Sequence, residues 1–273
     1  DVITHRGPDS EGQWVSPDKR CGLAFRRLAI IDLSEAANQP MSTVDGRFTI
    51  VFNGEIYNHL SIRQELISKG YKYRSNSDTE TILYGYQEWG EEILQKLVGM
   101  WGLAIWDDEK KELFCARDRI GIKPFYYTLQ NGRFVFGSEI KSILQHPLIS
   151  AEFNYDELPN YLNWGMSSNR ETLFKNIKKL TAGHYLKLNS KGEIQITRYW
   201  SSLKQEQEYT KLSESEIHSE VLRLLRQSIK DRMMSDVPFG VFLSGGIDSS
   251  LNVALMAELM DRPVDTFSVG FKE

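Results

Sequence analysis

Through most of the first 200 residues, apolar and β-branched positions come in short blocks closed by polar clusters, a length that predicts buried strands rather than helices. Cys21 to Asp32 and Phe48 to Ile56 are the first two such runs. Between Asn58 and Gly70 the spacing changes: Leu60, Ile62, Leu66 and Ile67 follow a helical period, and Gly70 supplies a stop. A second helix is predicted over Asp78 to Trp89, entered through Ser77 and Asp78, whose side chains suit an N-cap. Trp101 to Trp106, Glu112 to Ala116, Pro124 to Thr128 and Arg133 to Phe136 predict consecutive antiparallel strands, with Gln130-Asn131-Gly132 as the hairpin turn between the last two. A short helix over Glu139 to Gln145 stops before Pro147, and Gly183 to Leu188 pairs with Glu193 to Tyr199. This mixture gives the first unit an α+β order.

From Trp200 to Leu212 the periodic apolar residues give way to Ser, Lys, Gln and Glu, which predicts a solvated linker. Beyond it, Ser213-Glu214-Ser215-Glu216 is a capping box, and Ile217, Val221, Leu224, Leu225, Ile229 and Met233 form the apolar stripe of a long helix. Phe239 to Leu243 predicts a buried strand, Ser249 to Met260 a helix and Val264 to Val269 another strand. Strand, helix and strand at this spacing make a βαβ unit with parallel strands, so the second unit reads as α/β. A single βαβ unit cannot cover both faces of a parallel sheet, and a chain truncated at its C-terminal end is expected. The expected organisation is residues 1–199 as one domain, 200–212 as linker and 213–273 as the start of another.

Composition and charge then remove whole classes of function. A chain of 273 residues with 41% hydrophobic and 26% charged residues has room for two units and enough apolar surface for a core, which sets disorder aside. The net charge of −4, with Lys and Arg scattered, argues against a nucleic-acid partner. No apolar run approaches the ~18 residues needed to cross a bilayer, so no membrane partner is expected. Cys21 and Cys115 are the only cysteines, and the histidines show no HxxxH or HExxH spacing, which argues against a zinc site or a disulfide framework. Low cysteine use points to a cytoplasmic location.

Ser244-Gly245-Gly246-Ile247-Asp248-Ser249-Ser250 ends a predicted strand and opens a predicted helix, where backbone N–H groups and the helix dipole attract phosphate. No lysine follows the glycines, so hydroxyls and amides rather than a GxxxxGK[ST] lysine must do the cradling. A lone Gly-Gly would be only a strand-to-helix turn. The SGGxDSS pattern, however, resembles the pyrophosphatase loop of the N-type ATP pyrophosphatases, which split ATP between its α and β phosphates to adenylate a substrate. That resemblance implies that Leu243 and Val269 frame the adenine of ATP. It also implies that Ser244, Gly245, Gly246 and Ser249 hold pyrophosphate, with Ser250 in the same site, and that Asp248 serves Mg²⁺ on the phosphates.

Five further stretches resemble class II glutamine amidotransferase domains of the asparagine synthetase type: His5-Arg6-Gly7-Pro8-Asp9, Arg27-Leu28-Ala29-Ile30-Ile31-Asp32, Phe52-Asn53-Gly54-Glu55-Ile56-Tyr57-Asn58, Ser77-Asp78-Thr79-Glu80 and Ala116 to Pro124. With SGGIDSS they span nearly the whole chain in the family's order. The resemblance implies an N-terminal nucleophile hydrolase-like αββα sandwich, followed by the beginning of an α/β parallel-sheet ATP-pyrophosphatase domain. It implies that Arg27 holds the α-carboxylate of glutamine through its guanidinium fork and that Asp78 holds the α-ammonium. The Asn53 side chain and Gly54 amide would form an oxyanion hole, worth about 2.7–4 kcal/mol per donor. Leu28, Ala29, Ile30, Ile31 and Glu55 complete the implied glutamine site. Without a ligand, Arg27 reads as a solvated strand-end charge, Asn53-Gly54 as a tight turn and Asp78 as a helix N-cap. Ion pairs and Asx turns around Gly7-Pro8 or Gly121 account for Arg6, Asp9, Asp118 and Arg119, which are not assigned to the site. Phe25 stands where many relatives have histidine, and Trp101 where phenylalanine is common.

The family attacks glutamine with an N-terminal cysteine whose own α-amine is the base. Cys21-Gly22 mimics that dipeptide, but its nitrogen is a peptide nitrogen inside a strand pattern, and Cys21 reads as a core cysteine. Because the first residue is Asp1, a short strand carrying the nucleophile is expected to precede it, and the chain as it stands is expected to be inactive. The implied parent activity joins glutamine, aspartate and ATP: aspartate is adenylated, ammonia from glutamine attacks, and asparagine, AMP and pyrophosphate leave. A homodimer is compatible with the chain. The same layout with another acceptor, in a polysaccharide, secondary-metabolite or β-lactam-synthetase-like enzyme, stays open because acceptor residues are expected beyond Glu273. A catalytically dead glutamine- or nucleotide-binding module is disfavoured by the oxyanion-hole residues, which binding alone does not need.

Overall fold

The computed structural model describes residues 2–168, 170–204 and 212–270, so part of the expected linker, residues 205–211, lies outside the described residues. The chain forms two compact units, residues 1–201 and 202–273. The first begins with strands β1 (Ser10–Val15), β2 (Gly22–Arg27), β3 (Met41–Ser42) and β4 (Phe48–Ile56), then helices α1 (His59–Ser68), α2 (Asp78–Trp89) and α3 (Ile93–Lys96). It continues through β5 (Gly99–Asp107), β6 (Glu112–Arg117), β7 (Tyr126–Gln130) and β8 (Arg133–Gly137) to α4 (Ile140–Ile143) and α5 (Leu158–Trp164). It closes with β9 (Lys178–Lys179), β10 (His184–Leu188) and β11 (Ile194–Arg198).

A six-stranded antiparallel sheet in the order β11-β10-β6-β5-β4-β3 is the centre of this unit. The two-residue period of β4 sends Phe48, Ile50 and Phe52 to one face, where they meet Ile62 and Leu66 of α1 and Ile82, Leu83 and Tyr86 of α2. Leu60 (57% exposed) and Ile67 (50%) do not join them, so the α1 contact is narrower than its apolar period predicts. Full burial of a leucine such as Leu66 stabilises by roughly 1.5–3 kcal/mol. On the other face Val51, Ala104, Trp106, Leu113 and Cys115 pack against Leu23 of β2 and Tyr127 of β7. Beyond this second β layer, Ile143 at the end of α4 packs with Ile149 and Ile177 against Tyr126 and Val135. The layers therefore run helix, sheet, sheet, helix.

Three sequence expectations need correction. The run from Cys21 to Asp32 is strand only to Arg27, because the Arg27 guanidinium gathers the carbonyls of Asp32 and Ser34 (2.9 Å to the latter) and winds the chain into a loop. The strands from Trp101 to Phe136 are antiparallel in pairs, but β6 belongs to the central sheet and β7 to the second layer. The break falls at Asp118, whose carboxylate draws in the N–H groups of Ile120, Ile122 and Lys123 and turns the chain. The helix expected over Glu139 to Gln145 shrinks to α4. The hairpin of β7 and β8 forms at Asn131 (φ 51°) and Gly132 (φ 68°), the paired left-handed residues of a type I′ turn.

In the second unit α6 (Glu214–Arg232) starts with both halves of the capping box formed. β12 (Val241–Phe242) and β13 (Thr266–Phe267) pair in parallel, joined by α7 (Ile247–Leu259). Both strands are shorter than their apolar runs predict, and Phe242 and Phe267 are exposed. Of the α6 stripe Ile229 is buried, whereas Ile217, Val221 and Leu224 are exposed. Among the described residues no helix is long and apolar enough to cross a membrane.

Candidate functional site

The expected glutamine residues converge. A cavity of about 180 Å³ is lined by Arg27, Leu28, Ile30 and Ile31 from the loop after β2, by Asn53, Gly54 and Glu55 from β4, and by Asp78 from the start of α2. Ala29 is not in the lining; its N–H donates to Asp9 Oδ2 at 2.8 Å, which ties the loop to the chain before β1.

Each wall of the cavity has a local cause. Asn53 shares the strand face of Val51 and so looks toward the second layer, and its Nδ2 lies 3.4 Å from Ser138 Oγ. Gly54 lies so close to β5 that a Cβ there would sit 2.1 Å from the Met100 carbonyl oxygen and 2.8 Å from Trp101 Cα, so only glycine keeps the strand in register. Where β3 runs out, the buried Gln39 side chain completes the edge of β4, accepting from Phe52 N–H at 2.6 Å and donating to Phe52 O at 3.1 Å. The same amide donates to Thr79 Oγ1 at 3.2 Å, tying β4 to α2. Asp32 accepts from Asn76 N–H at 2.6 Å and thereby ties the Arg27 loop to the residues that open α2.

Asp78 is buried, yet it is not the N-cap. Ser77 is, with its hydroxyl accepting from Thr79 N–H at 3.1 Å, while Asp78 Oδ2 accepts from Ile56 N–H at 2.9 Å across the end of β4. Burial raises the Asp78 carboxyl from 3.8 to about 6, and the charge of Glu55 adds to the rise. A buried carboxylate held in this way gains from a cation. Arg27 is buried too, with Nη1 donating to Ser34 O and Asn38 Oδ1 at 2.9 Å each, and Nη2 donating to Asp32 O. Its terminal nitrogens face its own loop, so the guanidinium fork expected for a ligand is engaged by carbonyls here.

A second cavity, of about 420 Å³, adjoins the first and shares Arg6, Phe25, Arg26, Phe52 and Asn53 with it. β2 and β8 border it, and each has a strand partner on one side only, β1 and β7 respectively. Cys21 is buried against this layer, and burial pushes its thiol up to about 12, which keeps it protonated and unreactive at neutral pH.

In the second unit Ser244 and Gly245 lead from β12 to Gly246, the cap of α7, and Ile247 to Ser250 form its first turn. The Ser244 and Ser249 hydroxyls lie 3.1 Å apart and close the loop, and Ser249 Oγ also donates to Gly246 O at 3.1 Å. Leu243 is fixed from both sides, its N–H donating to Phe267 O at 2.8 Å and its carbonyl accepting from Ser268 Oγ at 2.6 Å. Val269 and Asp248 are exposed. Among the described residues no three acidic, histidine or cysteine side chains cluster as a metal cage. A lone Asp248 fits Mg²⁺ held mostly by phosphate oxygens and water, its usual mode beside a nucleotide.

The family model for the glutamine amidotransferase domain matches residues 1–200, and that for asparagine synthase matches residues 220–273. The chain belongs to the glutamine amidotransferase domain family. Its first unit has the αββα layering that the resemblance implied. The chain is 38% identical over 280 residues to asparagine synthetase [glutamine-hydrolyzing] 3 of Bacillus subtilis strain 168, covering 100% of this chain and 44% of that protein. To synthetase 1 of the same organism it is 39% identical over 274 residues, covering 100% of this chain and 42% of that protein. A solved glutamine phosphoribosylpyrophosphate amidotransferase from B. subtilis aligns at 18% identity with a TM-score of 0.46, over 66% of this chain and 35% of that one. The chain thus spans less than half the length of these curated relatives.

Gln39, Arg6 and Lys123, none of them assigned to the site from the sequence, also line this cavity. Arg6 and Lys123 lie in the His5–Asp9 and Ala116–Pro124 stretches, where Arg6 reads as an ion-pair or turn residue. Gln39 carries no such signal, since it acts by imitating a strand backbone.

Proposed function

We propose that the first cavity is a glutamine site and that this chain is the glutamine amidotransferase domain and the opening of the synthetase domain of a glutamine-dependent asparagine synthetase. In this reading residues 1–199 bind glutamine, 200–212 link, and 213–273 begin the ATP-splitting domain. The observation that carries it is a single cavity lined by Arg27, Asp78 and the Asn53–Gly54 pair, a cation, a buried anion and amide donors within reach of one free amino acid.

The α-ammonium of glutamine pairs with Asp78, which needs a cation to offset its burial. The α-carboxylate lies in the positive field of Arg27, taking N–H donors not held by the loop, or displacing a loop carbonyl from them. The side-chain amide points to Asn53 and Gly54, whose donors stabilise the oxyanion formed on attack. At Ser244 to Ser250, amides and hydroxyls bind the phosphates of ATP, and Asp248 helps to hold the Mg²⁺ that neutralises them. Activation of aspartate, ammonia transfer and a cytoplasmic setting belong to the same reading.

The test is product formation by protein expressed from the intact gene, supplied with MgATP, glutamine and aspartate. Asparagine and pyrophosphate are expected in equal amounts. Pyrophosphate release that ignores aspartate would overturn the acceptor, and absence of glutamate release would overturn the glutamine site.

A further inference from the structure

Ala116 to Pro124 is rich in charge, yet the glutamine reading gives its residues no part. The structure shows what those charges hold. The Asp118 carboxylate is fully buried and accepts backbone N–H groups from Trp101 and Ile120 at 3.2 Å each and from Ile122 and Lys123 at 2.9 Å each. Arg117, at the end of β6, donates to the carbonyls of Lys123 and Gly121 at 2.7 Å each and of Leu180 at 2.9 Å. Lys123 is therefore gripped at its N–H by one charged side chain and at its carbonyl by another. Removing charges from water is costly, so two of them fixing the main chain of a single residue direct attention to that residue's side chain.

That side chain lines the glutamine cavity with Arg6, Asn53, Gly54, Glu55 and Asp78, and burial together with Arg6 pushes its ammonium pKa down. Glu55 and Asp118 attract the ammonium. Glu55 also repels the Asp78 carboxylate, and Arg26 and Arg27 complete the charged lining. We propose that Lys123 is a positioning residue of the glutamine site: its ammonium balances Glu55, so that Asp78 meets the α-ammonium of the ligand as an uncompensated carboxylate.

The role rests on the glutamine reading above. Without the Lys123 charge, Glu55 acts on Asp78 undiluted. The Asp78 carboxyl already stands at about 6, and a further rise carries its protonation into the neutral range, where a protonated acid cannot pair with an ammonium.

Calorimetric titration of L-glutamine into the chain and into Lys123→Met, from pH 5 to pH 8.5, reads the effect. The acid limb of affinity is expected to move up by about 0.5–1 pH unit in the variant, a loss of roughly twofold to fivefold at pH 6 that shrinks toward pH 8.5. Lys123→Arg keeps the wild-type profile, and adding Glu55→Gln to Lys123→Met moves the limb back down, because the repulsion it relieves has gone. Lys123→Gln gives the same comparison should the methionine variant lose its circular dichroism spectrum. An unmoved acid limb with binding intact overturns the role of Lys123 alone, as does an arginine variant shifted as far as the methionine one. Absence of glutamine binding by the wild-type chain overturns the glutamine reading itself, and this inference with it.

Discussion

Replacing Asp78 with asparagine should make the unliganded chain more stable while destroying its affinity for glutamine. Burial lifts the Asp78 carboxyl from 3.8 to about 6, against the opposing pull of the Ile56 N–H bond. Each pKa unit corresponds to about 1.4 kcal/mol, so holding this group ionised costs the folded state on the order of 3 kcal/mol at neutral pH. The folded chain binds the extra proton between pH 4 and pH 6. Stability from this group is therefore full below about pH 4 and is lost as pH rises through 6. Asparagine still accepts the Ile56 N–H but brings an amide that needs its own acceptor, which reduces the net gain to about 1–2 kcal/mol. Urea unfolding of both proteins at pH 4.5 and pH 8, followed by tryptophan fluorescence, gives the difference, and every other titrating group cancels in the comparison. The stability gap should open in favour of the variant as pH rises. A variant less stable than wild type at pH 8, or a gap independent of pH, would refute the assignment of a destabilising buried charge.

Gly54→Ala should lower stability by several kcal/mol or prevent folding, since its Cβ would stand 2.1 Å from the Met100 carbonyl oxygen; a melting temperature near wild type would contradict the packing of β4 on β5. Cys21, with its thiol pushed up to about 12, should react with a disulfide reagent at neutral pH only after unfolding, and fast labelling of the folded chain would contradict its place in the core. Ser77→Ala removes the α2 cap bond to Thr79 N–H and the bond from Ser77 Oγ to Asp78 Oδ1 at 3.4 Å, and should cost about 1 kcal/mol by urea unfolding, with the Asp78-linked loss of stability moving to higher pH.

Elements set by local rules were legible: β4 and α2 have the boundaries that a short apolar block and capping predict, and Asn131-Gly132 turns where two left-handed residues are needed. Elements set by distant partners were not. Leu28 to Asp32 is as apolar as a strand, and its loop depends on what the Arg27 guanidinium gathers. The passage of the chain from the central sheet to the second layer depends on the carboxylate of Asp118, which no periodicity reveals. β1 went unseen because Ser10–Val15 alternates half-buried with exposed positions and holds few apolar residues. In the site, resemblance brought Arg27, Asn53, Gly54 and Asp78 to attention, and they line one cavity. It could not foresee that Arg27 would bond its own loop, or that Gln39 would finish the edge of β4.

Titration of the chain with L-glutamine and with N-acetyl-L-glutamine, which differs in lacking the ammonium group, tests the central claim most directly. At pH 7.5 the account predicts heat of binding for glutamine and none for the acetylated compound, with glutamine affinity about tenfold weaker at pH 5, where Asp78 is mostly protonated. Equal binding of the two compounds, or no binding of glutamine at either pH, would contradict it.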